Sequence, residues 1–116
     1  MSGAAFPQRG EVWLADLDPT EGHEQAGRRP VVVVSVDPFN AGRSGLVVVL
    51  PLTSHLRQLP LHVAVSPPEG GLRLPSVILC DAVRSIDRGR LIDCWGMLEA
   101  STLTQIEGCL RRLFGI

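Results

Sequence analysis

The sequence contains no lysine, only three cysteines and almost no net charge. Cys80, Cys94 and Cys109 are odd in number, widely spaced and form no C-x-x-C pair. Neither a disulfide framework nor a zinc cage is therefore indicated, and we expect buried free thiols. The formal net charge of −1 argues against a protein that coats nucleic acid without sequence preference, but it is compatible with a local cationic groove.

Long hydrophobic runs are also missing. The longest aliphatic runs are far shorter than the roughly 20 residues that a membrane-spanning helix needs, and no signal segment is recognisable. We therefore expect a cytoplasmic protein without membrane contact. All 11 cationic side chains are arginine, which suits bidentate contacts to phosphate. The codon composition of a GC-rich genome is the alternative explanation, and composition alone favours it.

A chain of 116 residues is long enough for one domain with its own core. We expect a flexible N-terminal arm over residues 1–8 and a single domain over residues 9–116. Short β-branched and aliphatic runs separated by Gly and Pro dominate the chain as far as residue 98. Six or seven such strands predict a small antiparallel barrel. The predicted strands cover residues 11–17, 31–36, 46–52, 61–65, 77–80, 82–85 and 91–98.

The C-terminal segment changes from a strand period to a helix period. Five apolar residues fall on one helical face, and Thr102 with Gln105 offers a capping box at its start. These five residues are Leu103, Ile106, Leu110, Leu113 and Phe114. The predicted fold class is therefore mainly β with a C-terminal helix packed against the sheet.

A polar segment over residues 16–30 separates two strongly apolar runs. Pro19, Gly22, Gly27 and Pro30 provide bends, whereas the residues between them are hydrogen-bonding and charged. Side chains of these types can bind phosphate, so the segment is predicted to form part of a functional site. Its candidate side chains are His23, Glu24, Gln25, Arg28 and Arg29.

Three motifs resemble the MazF/PemK toxins of bacterial toxin–antitoxin pairs, which are small sequence-selective endoribonucleases. The motifs cover residues 9–19, 22–30 and 51–54, and the resemblance extends from Arg9 to the final helix. It implies an SH3-like antiparallel barrel of the MazF/CcdB/PemK kind. It also implies a symmetric homodimer, single-stranded RNA as the substrate, and inhibition by a MazE-like antitoxin.

The resemblance implies two catalytic residues. Arg29 matches the arginine of the family's R-P pair, and Thr53 matches the threonine of its strand-end P-x-T motif. RNA carries its own nucleophile, the 2′-hydroxyl, so cleavage to 2′,3′-cyclic phosphate and 5′-hydroxyl ends requires no metal or cofactor in principle. From spacing alone, Thr53 could equally be a residue that caps a turn with Ser54.

The proton acceptor for the 2′-hydroxyl is left open between two residues. Arg29 stays protonated, whereas Glu24 and His23 lie nearby in sequence and could act as bases. Glu24 and Gln25 match a G-x-E-Q segment that shapes the RNA-binding loop in the family. The alternatives are a loop-stiffening ion pair for Glu24 and a solvated loop residue for His23, where several relatives have serine.

His23, Gln25, Arg28, Ser54, Asp81 and Arg84 are the predicted RNA contacts. Arg84 matches a basic family position, and an ion pair with Asp81 or Asp87 is its alternative. Base readout is expected to depend on residues 39–45 and 54–61. A solvated surface position is the alternative for Arg28 and the interpretation of Arg43, Arg57 and Arg73.

Several residues are given structural interpretations. Trp13 and Trp95 are interpreted as packing residues of the core or of a dimer interface, and a platform on which RNA bases stack is the alternative for both. His55 and His62 are interpreted as solvated. Asp16 and Asp18 enter a turn and are assigned no metal. A non-catalytic binding module on the same barrel, such as a CcdB-like gyrase inhibitor, is the alternative function.

Overall fold

The computed structural model describes residues 6–17, 27–56 and 59–116. Seven antiparallel strands form one bent sheet, and a C-terminal helix packs against it. The predicted class, mainly β with a C-terminal helix, is confirmed. The strands are β1 (Glu11–Asp16), β2 (Arg28–Val33), β3 (Leu46–Thr53), β4 (His62–Val65), β5 (Ser76–Leu79), β6 (Arg84–Asp87) and β7 (Leu91–Met97). The helices are α1 (Asp37–Asn40) and α2 (Ala100–Phe114), and 3₁₀ turns cover Glu69–Gly71, Cys80–Ala82 and Arg88–Arg90.

Strand β3 lies at the centre of the sheet. The strand order is β4-β5-β3-β2-β1-β7, and β6 also pairs with β3. The first half of β3 pairs with β6, as in Val47 with Ile86, and its last residues pair with β5, as in Leu52 with Ile78. Because β3 changes partner along its length, the sheet curves around it and its far end reaches a different neighbour.

Both faces of the central strands are buried. Alternate residues point to opposite faces of a strand, so the continuous apolar runs supply two separate clusters. The first cluster includes Ile106 of α2, so it lies on the face of the sheet that the helix covers. Its buried members are Val12, Val32, Leu50, Leu52, Val63, Val65, Leu72, Ile78, Cys80, Leu98 and Ile106. The second cluster comprises Ala15, Leu17, Val31, Val33, Val47, Val49 and Ile86, with Trp13 and Leu91 packed against it.

Element boundaries differ from the sequence prediction where pairing or turns intervene. Strand β2 begins at Arg28 instead of residue 31, because Arg28 pairs with Asp16 of β1. Strand β6 begins at Arg84 because a 3₁₀ turn occupies Cys80–Ala82. Helix α2 begins at Ala100 and has Glu99 as its N-cap, without a side-chain cap.

The predicted capping box of Thr102 and Gln105 is therefore wrong. Thr102 lies inside the first turn and is buried. The predicted apolar face is confirmed for Ile106, which is buried, and for Leu103 and Leu110, which pack against the first cluster. It is wrong for the last turn of the helix, because Leu113 and Phe114 are exposed.

The N-terminal residues that the structure describes contact the domain. Pro7 is buried, and the backbone N–H of Gln8 donates to the buried carboxylate of Glu11 at 2.7 Å. Arg9 bonds to Glu107 of α2 at 2.5 Å. Residues 1–5 of the predicted arm lie outside the described residues. No helix in the described part of the chain is long and apolar enough to cross a membrane.

The three cysteines are free thiols, and only Cys80 is fully buried. Burial raises the pKa of the Cys80 thiol to about 12, and the adjacent Cys109 thiol and the Asp81 carboxylate add to this effect. Cys94 and Cys109 are half-buried. The expectation of buried thiols is thus correct for Cys80 and too strong for the other two residues.

Candidate active site

The start of β2 and the end of β3 bring two predicted catalytic residues together. Val31 pairs with Pro51 across these antiparallel strands. Continuing this register by two residues on each strand places Arg29 opposite Thr53, on the same face of the sheet. Residues far apart in sequence therefore share one edge of the sheet.

Both residues line a pocket of about 610 Å³, here called the strand-end pocket. The volume lies within the range of sites that bind small organic ligands. Among the described residues, its charged lining side chains are three arginines and one aspartate, so this part of the lining carries an excess of positive charge. The lining residues are Arg28, Arg29, Pro30, Leu52, Thr53, Ser54, Gly71, Leu72, Arg73, Leu74, Ser76, Asp93, Cys94 and Trp95.

The Thr53 hydroxyl is oriented by the backbone. Its Oγ1 accepts a hydrogen bond from the N–H of His55 at 3.1 Å, which is the turn-capping geometry that sequence spacing left as an alternative. The two interpretations are compatible, because a hydroxyl that accepts one bond still has its own O–H to donate. Thr53 is half-buried, and the neighbouring Ser54 is exposed at the pocket rim.

Arg28 and Arg29 lie on the first two positions of β2. Arg29 is half-buried and pairs with Ala15 of β1, whereas Arg28 is exposed and pairs with Asp16. Adjacent strand residues point to opposite faces, yet both side chains line the pocket because β2 begins at its edge. Two arginine side chains therefore line one wall of the pocket.

Strand β7 provides the opposite wall through Asp93, Cys94 and Trp95, here called the β7 wall. Val12 pairs with Gly96 but Trp13 pairs with Cys94, so Trp95 is the extra residue of a β-bulge. A bulge redirects a side chain relative to the regular alternation. No sequence pattern indicated Asp93, and Trp95 and Arg73 were interpreted as a packing residue and a solvated residue.

The described residues on either side of positions 18–26 are joined by a hydrogen bond. The N–H of Leu17 donates to the carbonyl of Gly27 at 2.9 Å, next to the start of β2. His23, Glu24 and Gln25 belong to this segment and lie outside the described residues. Their predicted roles remain predictions.

Asp81 and Arg84 are not among the residues that line the strand-end pocket. Asp81 is exposed and contacts Nε2 of His62 at 3.2 Å. The interpretation of His62 as solvated is wrong, because its side chain is only 7% exposed. Arg84 pairs with Val49 of β3, and its Nη1 is buried and has no hydrogen-bond partner among the described residues. Neither of the alternative ion pairs predicted for Arg84 is found within the described residues.

Across residues 6–17, 27–56 and 59–116, no group of three or more His, Cys, Asp or Glu side chains could hold a metal ion. The groups that the strand-end pocket offers are guanidinium, hydroxyl and carboxylate side chains around an aromatic ring. Such an arrangement can bind a phosphate and an adjacent planar group.

The family is shown by comparison with known sequences. The sequence model described as "PemK-like, MazF-like toxin of type II toxin-antitoxin system" matches residues 8–114. The chain belongs to this family. It is 37% identical over 110 residues to the endoribonuclease MazF9 of Mycobacterium tuberculosis, covering 90% of this chain and 92% of that protein.

Solved structures of MazF toxins share the fold. The chain resembles MazF from Deinococcus radiodurans with a TM-score of 0.84 and 32% identity, covering 97% of this chain and 100% of that one. It also resembles an endoribonuclease in complex with its cognate antitoxin from a mycobacterial species, with a TM-score of 0.78 and 26% identity over 95% and 96% of the two chains. The predicted family and fold are confirmed.

Proposed function

We propose that this MazF-family toxin is an endoribonuclease that cuts single-stranded RNA without a metal ion, in the strand-end pocket. The observation that carries the proposal is the shared pocket of Arg29 and Thr53, which come from different strands. The naming of the mycobacterial relative as an endoribonuclease supports the same activity. A family of toxins with such relatives gives no support to the gyrase-inhibitor alternative.

The reaction uses the nucleophile that RNA carries. The 2′-oxygen attacks the adjacent phosphorus and loses its proton, while the bond from phosphorus to the 5′-oxygen breaks and that oxygen gains a proton. The products are a 2′,3′-cyclic phosphate and a 5′-hydroxyl, so atoms and charge balance without a co-reactant. Negative charge grows on the two non-bridging oxygens, and this is the charge that the pocket must stabilise.

Arg29 and Thr53 are the residues assigned to that charge. The guanidinium of Arg29 bridges non-bridging oxygens with two parallel hydrogen bonds, a geometry that arginine favours. Thr53 donates its O–H to the same phosphate while its oxygen stays fixed by the N–H of His55. Donors that are oriented before the reaction contribute most to catalysis.

The proton acceptor is assigned to residues 18–26. Arg29 keeps its proton, so Glu24 is proposed as the base, with His23 as the alternative residue. Gln25, Arg28 and Ser54 are proposed as RNA contacts close to the phosphate. Asp81 and Arg84, which lie outside the pocket lining, are proposed as contacts for more distant nucleotides.

The proposed assembly is a cytoplasmic homodimer with RNA in a groove near the subunit interface. A MazE-like antitoxin is proposed to inhibit it by covering that groove with a segment that folds on binding. The structure of a related endoribonuclease with its cognate antitoxin supports this partner.

Incubating the purified protein with a long RNA of mixed sequence in EDTA tests the reaction. We expect cleavage to continue, because the charge is stabilised by side chains, and we expect every product to carry a 2′,3′-cyclic phosphate and a 5′-hydroxyl. Mapping the ends also gives the recognised RNA sequence. Activity that is lost in EDTA and restored by Mg²⁺ would contradict the metal-independent reaction, and no cleavage at all would favour a non-catalytic toxin.

A further inference from the structure

Trp95 and Trp13 occupy different environments although both lie on paired strands. Trp13 packs against the second core cluster and donates its indole N–H to the buried Glu11 carboxylate at 3.1 Å. Trp95 packs against the first cluster but also lines the strand-end pocket. Trp95 therefore contacts the core and also borders a volume that a ligand can occupy.

Close backbone packing fixes the position of Trp95. The Gly70–Gly71 turn lies so near to β7 that a Cβ atom on Gly71 would be 2.2 Å from the carbonyl oxygen of Trp95. A Cβ atom on Gly96 would likewise lie 2.9 Å from the carbonyl carbon of Gly70. Because these glycines allow contact without a side chain between them, the bulge that carries Trp95 is held on a rigid support.

Asp93 adds a group of opposite charge to the same wall. It is exposed, lines the pocket and faces a lining that otherwise carries three arginines. A carboxylate repels phosphate but accepts hydrogen bonds from N–H groups, so its position favours a nucleobase over the RNA backbone. Proteins that bind unpaired nucleotides combine such edge contacts with an aromatic ring on which a base stacks.

We propose that Trp95 and Asp93 form a base subsite, in which one unpaired base of the RNA stacks on the Trp95 ring while Asp93 accepts from its edge. The proposal rests on the proposed RNA cleavage and extends it. Arg29 and Thr53 bind the scissile phosphate, and the β7 wall selects an adjacent base. A base with an exocyclic amino group is favoured, because the single N–H of uracil is flanked by two carbonyl oxygens that face the carboxylate.

The proposal assigns sequence selectivity to a segment outside the two loops from which base readout was expected. Residues 39–45 and 54–61 were the candidates, and of their described members only Ser54 lines the strand-end pocket. Trp95 and Asp93 are specificity-determining residues in this arrangement, and neither takes part in proton transfer.

Single-tryptophan variants test the stacking. The probe is an RNA oligonucleotide that contains the mapped cleavage site, with deoxyribose at the scissile nucleotide so that no 2′-hydroxyl can attack. Binding should quench the tryptophan fluorescence of Trp13→Phe, which retains Trp95, and leave that of Trp95→Phe unchanged although the oligonucleotide still binds. Trp95→Ala should weaken binding by about tenfold to a hundredfold, the cost of one lost base stack. Thermal unfolding confirms that each variant is folded.

Base-by-base substitution of the RNA identifies the stacked nucleotide. Removing the stacked base should weaken binding to the wild type but should not weaken binding to Trp95→Ala any further. At every other nucleotide, the loss of affinity from removing the base should add to the loss caused by Trp95→Ala. Asp93→Asn should reduce discrimination against uracil at that same position, a change that a merely structural role would not produce.

Three outcomes would overturn the base subsite. They are additivity at every nucleotide, quenching that follows Trp13 instead of Trp95, and quenching of Trp95 by an antitoxin peptide but not by RNA. The cleavage assay with wild-type protein separates the two proposals. RNA cleavage with no effect of Trp95 contradicts the subsite alone, whereas absence of cleavage contradicts the proposed function.

Discussion

At the start of β3, the guanidinium of Arg88 donates to the carbonyl oxygens of Asn40 and Gly42 at 2.6 and 3.2 Å and lies over the Phe6 ring at 4.9 Å. At the end of the same strand, Arg28, Arg29 and Arg73 line a pocket. The same residue type thus closes a loop onto the sheet at one end and faces a ligand-sized volume at the other. The surroundings of an arginine, a loop backbone at one end and a pocket at the other, distinguish the two ends of β3.

The largest expected difference between the two ends concerns catalysis. Arg29→Ala and Thr53→Ala should each lower the rate of RNA cleavage by about a hundredfold or more, the effect of losing one donor to the charged transition state. Their thermal unfolding should change little. Initial rates on the mapped RNA measure the effect, and Arg28→Ala should cost much less. A larger loss in Arg28→Ala than in Arg29→Ala would show that the assignment is displaced by one residue.

Arg88→Ala is the matched control at the other end of β3. It should lower the free energy of unfolding by about 2 kcal/mol, because two hydrogen bonds from a charged donor are lost. The cleavage rate per folded molecule should remain that of the wild type. Equal loss of activity in Arg88→Ala and Arg29→Ala would abolish the distinction between the two ends.

A smaller difference is expected between two glycines. Gly45 and Gly71 have nearly equal φ angles, +72° and +73°, but a Cβ atom meets nothing within 4 Å at Gly45 and lies 2.2 Å from a carbonyl oxygen at Gly71. Gly45→Ala should cost about 1–2 kcal/mol for the left-handed backbone alone. Gly71→Ala should cost about 1–3 kcal/mol more, since backbone must move. Urea unfolding measures both, and equal losses would show that the β7 wall is not closely supported.

A further loss of stability is expected at alkaline pH. Burial raises the pKa of the Cys80 thiol in the folded chain to about 12, from an ordinary value of 9.0. Its stabilising contribution is therefore complete below pH 9 and is lost as the pH rises toward 12, by at most about 1.4 kcal/mol per pH unit. Between pH 8 and 10.5, the free energy of unfolding should fall less steeply with pH in Cys80→Ala than in the wild type. An unchanged slope would contradict the assignment to Cys80.

Patterns along the chain were sufficient to predict the sheet, the helix and one half of the candidate site. Arg29 and Thr53 could be recognised because they lie at the ends of strongly apolar runs, where side chains meet at a sheet edge. The motifs of the family supplied their roles. The segment with His23, Glu24 and Gln25 was recognised by composition, and its predicted chemistry remains a prediction.

The other half of the site could not be predicted from alternation. The bulge at Trp95 breaks the period of two that assigns a strand residue to one face, so the direction of the side chain depends on pairing with β1.

The start of the C-terminal helix was also not predictable from a motif. The position of Glu99 as N-cap follows from where β7 ends and not from a capping sequence. Gly70, Gly71 and Gly96 are the visible signals of close packing, but their contacts are made only in three dimensions.

The arginines of the strand-end pocket also bear on regulation. Guanidinium groups do not lose their proton under physiological conditions, and the chain has no lysine whose acetylation could remove a charge. Methylation of arginine leaves the charge in place. Neither lysine acylation nor arginine methylation therefore removes the positive charge that the described lining residues carry. A molecule that fills the pocket can block it without removing that charge.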